Sequence, residues 1–383
     1  MGARYAWAVI VHLNGQLVPR DQAKISPLDR GFVFGDGVYE GLRTIDWRGN
    51  GNAGAREMAR SGARVIGLQL HVERLYAGLE AARIETPRHE FAGLEAPTSL
   101  GRMTDELLAA NGLRDAFVYW QVTRGTPSGD EPARLRVPPR GGLRGGVTVF
   151  GYASPQPSLE AIRGAGPLVK TCAVLNDPRW SMGFLKSTSL MGNVVCAMEA
   201  DRRGCDDAIL VRDGVVCEGL ATNVILVTRS GEVVTPSLES APMLAGVTRA
   251  LLLEELRGEL VSRRVTEEEL RSAREVMLTG SSTMVACVSH LDGAPVGEGG
   301  WAGKPGPVCR RLQDVLLNAI GAGLDASLSN RHMLGRAWRG FDRAAGAGGA
   351  GSAGGANVCG TVPTVAPTVA ATGASDRAVP GRA

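Results

Sequence analysis

The stretch GFLKSTSLMGNVVCAMEADRRGCDDAILV, residues 183–211, decides how this chain is read. It runs from a glycine-led apolar approach to Lys186, through the hydroxyls of Ser187, Thr188 and Ser189, into a helical pattern and out into a strand. The spacing predicts a helix over 189–202 with Val194, Val195 and Met198 at buried positions, then a strand at Ala208–Val211. The lysine matters because lysine is scarce. The chain has 383 residues with 42 lysines and arginines, and only Lys24, Lys170, Lys186 and Lys304 are lysines. A chain that uses arginine almost everywhere for charge keeps a lysine either where a free amine is needed or where a long stem suits the surface. Lys24 and Lys304 lie in polar turns, and Lys170 follows an apolar strand run without an assigned part. Lys186 stands just ahead of a helix. An amine that loses its proton and attacks a carbonyl is one reading of it, and a surface lysine is the other.

Downstream, Val215–Cys217 and Val224–Val227 read as short strands around Asp213-Gly214 and a loop that begins at Glu218. A helix is expected over 246–260, opened by Val247 and Thr248, and a short one over 266–273 with Thr266 and Glu269 spaced as a capping box. Strands at 275–279 and 284–288 flank the hydroxyl-rich turn 279–283, and a helix closes at 307–320. Upstream, Asn14-Gly15 between Val9–Leu13 and Gln16–Val18 marks a hairpin. Helices at 71–84 and 100–110 and strands ending near Ile45, at 117–123 and at 147–152 make a small α/β unit. Residues 47–65 read as an irregular insertion, and Pro155 and Pro157 as a linker. These boundaries divide the chain into 1–154, 155–325 and a Gly-, Ala-, Pro- and Thr-rich tail, 326–383, expected to stay disordered. Many short strands around few helices suit a barrel-like or layered α+β fold better than a doubly wound sheet.

The formal charge is +3, far from the concentrated basic surface of a nucleic-acid binder. No apolar run approaches the ~20 residues that span a bilayer, and the first residues lack a leader pattern. Seven cysteines form no CxxC pair, so they read as reduced core residues in a cytoplasmic protein, with no metal site expected.

An amine at 186 that condenses with an aldehyde cofactor needs three companions. These are a carboxylate to keep a ring nitrogen protonated, donors for a phosphate, and room for an amino acid. Glu218, the helix start at 244–249 and the turn at 279–283 are of the right types; a solvated carboxylate and ordinary capping are their plainer readings. The order and spacing of several segments go further. They are SPLDRGFVFGDGVYEGLRT (26–44), LHVERL (70–75), VYWQVTRG (118–125), the stretch quoted first, DGVVCEGLATNVILV (213–227), TPSLESAPMLAGVTR (235–249) and EVMLTGSSTMVACVSHLDG (275–293). Together they resemble the class IV aminotransferases, fold-type IV pyridoxal-phosphate enzymes, over roughly residues 8–323.

That resemblance implies an α+β fold with a small N-terminal α/β domain and a larger pseudobarrel domain. It implies pyridoxal 5'-phosphate between them, an amino acid and a 2-oxo acid as substrates, and a homodimer whose neighbour helps close the pocket. It casts Lys186 as the lysine that forms the Schiff base and later carries the proton, and Glu218 as the partner of the pyridine nitrogen. Arg74, Val247, Thr248 and Ser281 would hold the phosphate, Leu244 would pack on the ring, and Tyr39 would line the substrate side. Arg43, Arg134 and Arg136 are the substrate-binding expectations, the last two standing where D-amino-acid enzymes carry Arg-x-His. Met191, five positions after the lysine, departs from the tyrosine of branched-chain enzymes, whereas Tyr39-Glu40-Gly41-Leu42-Arg43 resembles them. Transamination of the D-amino-acid or branched-chain type is the activity implied. The same lysine also serves 4-amino-4-deoxychorismate lyase, and a cofactor-binding relative without turnover is the reading of another class.

Overall fold

Asn14 and Gly15 both take positive φ (48° and 85°), as a two-residue hairpin turn requires. They join β1 (Ile10–Leu13) to β2 (Gln16–Pro19) in a computed structural model that describes residues 9–47, 60–84, 97–132, 134–139 and 142–324. The expected tail, and residues 48–59 of the expected insertion, lie outside the described residues. With β3 (Gly37–Asp46), β4 (Ala63–Val65), β5 (Ala116–Thr123) and β6 (Thr148–Pro155), the hairpin builds an antiparallel sheet in the order β2-β1-β6-β5-β3-β4. β4 corrects the sequence reading: the end of the supposed insertion pairs with β3, because Ala63 and Val65 can be buried there.

Alternation along this sheet separates core from pocket. Val118, Trp120 and Val122 of β5, and Val38 and Leu42 of β3, point to one face and are buried. There they meet Leu75 and Leu79 of α2 (Leu68–Ala81) and Leu107 of α3 (Pro97–Asn111). Trp120 keeps its indole N–H satisfied by donating to Thr104 Oγ1 at 3.0 Å. The other face carries Tyr39 and Gly41 from β3, Phe117 and Tyr119 from β5, and Tyr152 from β6, all of which line a cavity. A five-residue helix, α1 (Arg30–Phe34), precedes β3 where only a glycine-dotted approach was expected.

The remaining chain forms a nine-stranded mixed sheet. After α4 (Leu159–Ala165) it uses β7 (Leu168–Asn176), β8 (Asp207–Arg212), β9 (Val215–Gly219), β10 (Asn223–Val227), β11 (Val233–Pro236), β12 (Leu260–Arg263), β13 (Glu275–Gly280), β14 (Met284–Leu291) and β15 (Ala294–Pro295). The order is β12-β11-β10-β13-β14-β7-β8-β9, with β15 beside β14, and the sheet curls until β9 lies near β10. β8, β9 and β10 are almost wholly buried, which explains their short continuous apolar runs. This is the curled half-barrel of an α+β protein.

Helices cover the sheet: α5 (Met191–Arg202), α6 (Val247–Glu255), α7 (Glu267–Arg271) and α8 (Pro307–Gly321). Thr266 and Glu269 make the reciprocal capping box at α7. The helix expected over 246–260 is shorter, because Gly258 at φ 87° breaks it and Leu260 starts a strand parallel to β11. α5 overturns a second expectation. It packs through the small residues Cys196 and Ala200, and leaves Met191, Val194, Val195 and Met198 between 49 % and 74 % exposed. Small side chains let the helix approach the sheet closely, so the larger ones turn outward. Among the described residues no helix is long and apolar enough to cross a membrane.

Candidate active site

Lys186 reaches the cavity because its backbone is stitched to β3. Tyr39 N–H donates to the Lys186 carbonyl (2.9 Å), Thr188 N–H donates to the Gly37 carbonyl (3.0 Å), and Val38 and Ser187 form a bridge. The hydroxyls of Thr188 and Ser189 both donate to the Gly35 carbonyl at 2.9 Å. The hydroxyl cluster after the lysine therefore fixes the segment against the first sheet. The side chain is half-buried, and its Nζ stands 4.3 Å from the centroid of the Tyr39 ring.

Glu218 comes from the other sheet. It lies within β9, not in a loop after it, and its residue is only 6 % exposed. Oε1 accepts from Arg179 Nη1 at 2.7 Å, and Oε2 accepts from the Leu244 N–H at 3.0 Å. Burial pushes its pKa above the ordinary value, against the pull of Arg179 and of the Leu244 N–H. Arg179 is held in turn by both oxygens of Asp177, at 2.8 and 3.0 Å. The sequence reading missed Arg179; its signal was a charged Asp-Pro-Arg triplet in the half-buried approach to the lysine.

A third corner is built for an anion. The N-terminus of α6 has no side-chain cap, and Gly246, Val247 and Thr248 border the cavity. Uncapped N–H groups and the helix dipole favour negative charge there. A Cβ on Gly246 would lie 1.8 Å from Asn223 Oδ1, so only glycine fits under that amide. Ser281 and Ser282 border the same corner, and the hydroxyls of Thr222 and Thr279 are buried there without a hydrogen-bond partner among the described residues.

Arg74 lines the cavity from α2 and is anchored from behind. Its Nε and Nη2 donate to the two oxygens of Glu40 at 2.7 Å each, and Nη1 donates to the Ala245 carbonyl at 2.8 Å. His71 Nδ1 lies 2.7 Å from Glu40 Oε2. Burial alone would raise the Glu40 pKa, but Arg74 and His71 bring it down to about 2. Burial, opposed by Glu40, lowers the His71 pKa. The sequence reading assigned Glu40 no part; its signal was a charge between Val38 and Leu42 on the core face of a strand.

Lys186, Glu218, Arg74, Leu244, Val247, Thr248, Ser281 and Tyr39 thus border one cavity of about 610 Å³. Three expected residues do not. Arg43 is buried, donates to the Pro157 carbonyl and faces a void of about 10 Å³ behind α6. Arg134 is exposed, its guanidinium 5.6 Å from the Phe34 ring, and Arg136 is exposed with its carbonyl accepting from Arg30. Arg30 also donates to the Leu135 carbonyl and so holds this segment against α1, outside the chain's own cavity. Lys170, unassigned from sequence, pairs with Asp207 at 2.6 Å.

An amine, a buried carboxylate and a cradle of N–H and O–H donors in one cavity are the groups that a phosphorylated pyridine aldehyde requires. The orphaned Thr222 and Thr279 hydroxyls and the bare helix end fit its phosphate. The site is therefore of the pyridoxal-phosphate class. The family model "Amino-transferase class IV" matches residues 38–291. A D-alanine aminotransferase of Bacillus licheniformis is 30 % identical over 313 residues, covering 81 % of this chain and 96 % of that protein. A T.th. branched-chain amino acid aminotransferase, solved with N-(5'-phosphopyridoxyl)-L-glutamate, has a TM-score of 0.65 at 25 % identity, covering 82 % of this chain and 95 % of the other. That of Thermoproteus uzoniensis, solved with norvaline, gives 0.64 at 25 % identity with the same coverage. The chain belongs to the class IV aminotransferase family: it is a fold-type IV enzyme of transamination, and its cofactor is pyridoxal 5'-phosphate.

Proposed function

We propose that the protein moves an amino group between an α-amino acid and a 2-oxo acid, of the D-amino-acid or branched-chain type. One observation carries the reading: Lys186 from the first sheet and Glu218 from the second open on the same cavity, beside the bare end of α6. When bound, the cofactor supplies a ring that accepts electrons from the substrate Cα. Lys186 would hold the cofactor through its amine, and the same amine would take and return the proton at the substrate Cα. Glu218, desolvated and held by Arg179, keeps the ring nitrogen protonated. Arg74, Val247, Thr248 and Ser281 hold the phosphate, Leu244 packs on the ring, and Tyr39 borders the substrate. The D-alanine aminotransferase named above supports the D-amino-acid type, and the two branched-chain structures support the other.

The test adds single amino acids to the holoenzyme, without an acceptor. D-alanine, L-leucine or L-valine is expected to bleach the aldehyde-form absorbance and release its 2-oxo acid, and a 2-oxo acid should restore the band. No bleaching with any donor would sink the reading. Pyruvate and 4-aminobenzoate released from aminodeoxychorismate, with no second oxo acid, would point to the lyase instead.

The same reading includes a homodimer. Met191, Val194, Val195 and Met198 fall at i, i+3, i+4 and i+7 on α5 and form one exposed apolar stripe. Arg134 and Arg136, exposed and outside the chain's own cavity, are then available to a neighbour's pocket. Val195→Asp with Met198→Asp is expected to halve the mass measured by light scattering, and an unchanged mass would remove this stripe from the interface. A cytoplasmic setting is proposed on the six described cysteines, all free and five of them buried.

A further inference from the structure

We propose that Arg43 is a second cation for the cofactor's phosphate, acting from behind the residues that hold it, through one water seated between. The inference rests on the placing of the phosphate at the start of α6. Arg43 shares a face of β3 with Tyr39 and Gly41, which border the cavity. Its own side chain ends behind the cavity wall. It is 1 % exposed; Nη2 donates to the Pro157 carbonyl, and Nε and Nη1 meet no acceptor among the described residues. No carboxylate therefore pairs with it among those residues. A buried guanidinium without a counter-charge is costly, so it is to be expected where an anion arrives.

Val247, Thr248 and Ser281 border both the cavity and the void of about 10 Å³ that Arg43 faces. The wall between the guanidinium and the phosphate end is thus one residue thick. The void matches a single water, which needs ~10–15 Å³ and a few polar partners. Arg43, His71, Thr248 and Ser281 bring the polar groups, and apolar side chains such as Leu251 and Leu316 close the rest. A water there accepts from Arg43 and donates to the hydroxyl of Thr248 or Ser281. That hydroxyl keeps its own hydrogen for the phosphate. The Nδ1 of His71 is already taken by Glu40 at 2.7 Å, so only its other nitrogen is left for the water.

The charge balance singles out the same residue. Arg74 donates to both oxygens of Glu40, which matches its charge, and Arg179 is shared by Asp177 and Glu218. A bound phosphate adds negative charge at an end whose lining guanidinium is already paired. Arg43 is the buried guanidinium beside that wall with no carboxylate of its own among the described residues. In a site closed to bulk water its attraction is felt across one residue. Arg43 touches neither cofactor nor substrate. It is a positioning residue, which charges the wall and orients its hydroxyls.

The experiment compares ligands with and without the phosphate. Binding of pyridoxal 5'-phosphate, inorganic phosphate and pyridoxal to the full chain, freed of cofactor, is measured for the wild type, Arg43→Met and Arg43→Lys. Arg43→Met is expected to weaken the two phosphate ligands by at least about tenfold, the loss of one charge-assisted contact, and to leave pyridoxal unchanged. Arg43→Lys keeps the charge and should recover part of that loss. Arg43→Gln carries the comparison if the methionine variant does not fold. A crystal structure of the holoenzyme should show a water within ~3.2 Å of Arg43 Nε or Nη1, and a dry void would overturn the proposed link. Equal losses for all three ligands would assign Arg43 to the fold alone, and unchanged phosphate affinity would remove its charge from the site; either overturns the inference. Thr248→Val reports on the wall itself. Phosphate affinity lost there but kept in Arg43→Met overturns the inference and leaves the phosphate at α6, whereas no loss in either variant takes it away from α6 altogether.

Discussion

Lys186→Ala is expected to lower kcat/KM for the best donor by at least about 10²- to 10⁴-fold, the share that a positioned acid–base group contributes. The amine has no understudy at the cavity. Among its lining residues Lys186 is the only lysine, and Arg74 and Arg179 stay protonated and are tied to carboxylates. The fold should survive, because the segment is held by main-chain contacts from Tyr39 and Thr188 that the substitution leaves intact. Borohydride treatment followed by peptide mapping gives the second readout. The wild-type holoenzyme should carry the cofactor on the peptide that contains Lys186, and the variant should carry it nowhere. Tagging of another lysine would place the chemistry elsewhere.

Glu40→Ala is expected to destabilise the protein by about 3–5 kcal/mol, measured as ΔG from urea unfolding. The reason is the company it leaves behind. Arg74 is 6 % exposed, and without Glu40 its guanidinium keeps the Ala245 carbonyl and a 3.4 Å contact to His71 Nδ1, but no hydrogen-bonded carboxylate. A loss below about 1 kcal/mol would show that water reaches the guanidinium and does the work of the carboxylate. The pH dependence follows with a definite sign. The Glu40 pKa falls from 4.5 to about 2 on folding, so its contribution is complete above about 4.5 and disappears as the pH drops towards 2. His71, also lowered from its ordinary 6.5, adds to the acid loss, because the unfolded chain takes up its proton first. Glu218 works the other way: its pKa is raised, so its unfavourable contribution grows as the pH climbs above 4.5. In thermal scans, Glu40→Ala should flatten the acid limb of the wild-type profile. An acid limb of unchanged slope would assign the acid sensitivity to other groups.

The link between stability and site is direct here. Glu40 holds Arg74 from the core side while Arg74 lines the cavity, so a residue that is costly to remove from the fold also orients a cation at the proposed phosphate end. A buried carboxylate in the core face of a strand is expensive unless it is paired. Three hydrogen bonds to Arg74 and His71 offset that cost.

Local pattern carried much of this protein. The Asn14-Gly15 turn, the capping box at Thr266 and Glu269 and most strands were legible, because turn chemistry, capping and periodicity depend on neighbours along the chain. Eight of the residues that border the cavity were expected through the resemblance, whereas composition alone left Lys186 and Glu218 ambiguous. Everything that required two distant segments to meet was illegible. No spacing rule says that β9 turns Glu218 into the same cavity as a lysine pinned to β3, or that Arg179 stands between Asp177 and Glu218. The outward face of α5 misled for the same reason: periodicity shows which side chains share a stripe, but not whether the sheet or another surface receives it. Arg43 points behind α6 because the strand's pleat and the Pro157 carbonyl, more than a hundred residues away, settle where its guanidinium goes. Pairing partners and burial are properties of contacts between remote pieces, and those exist once the chain has folded.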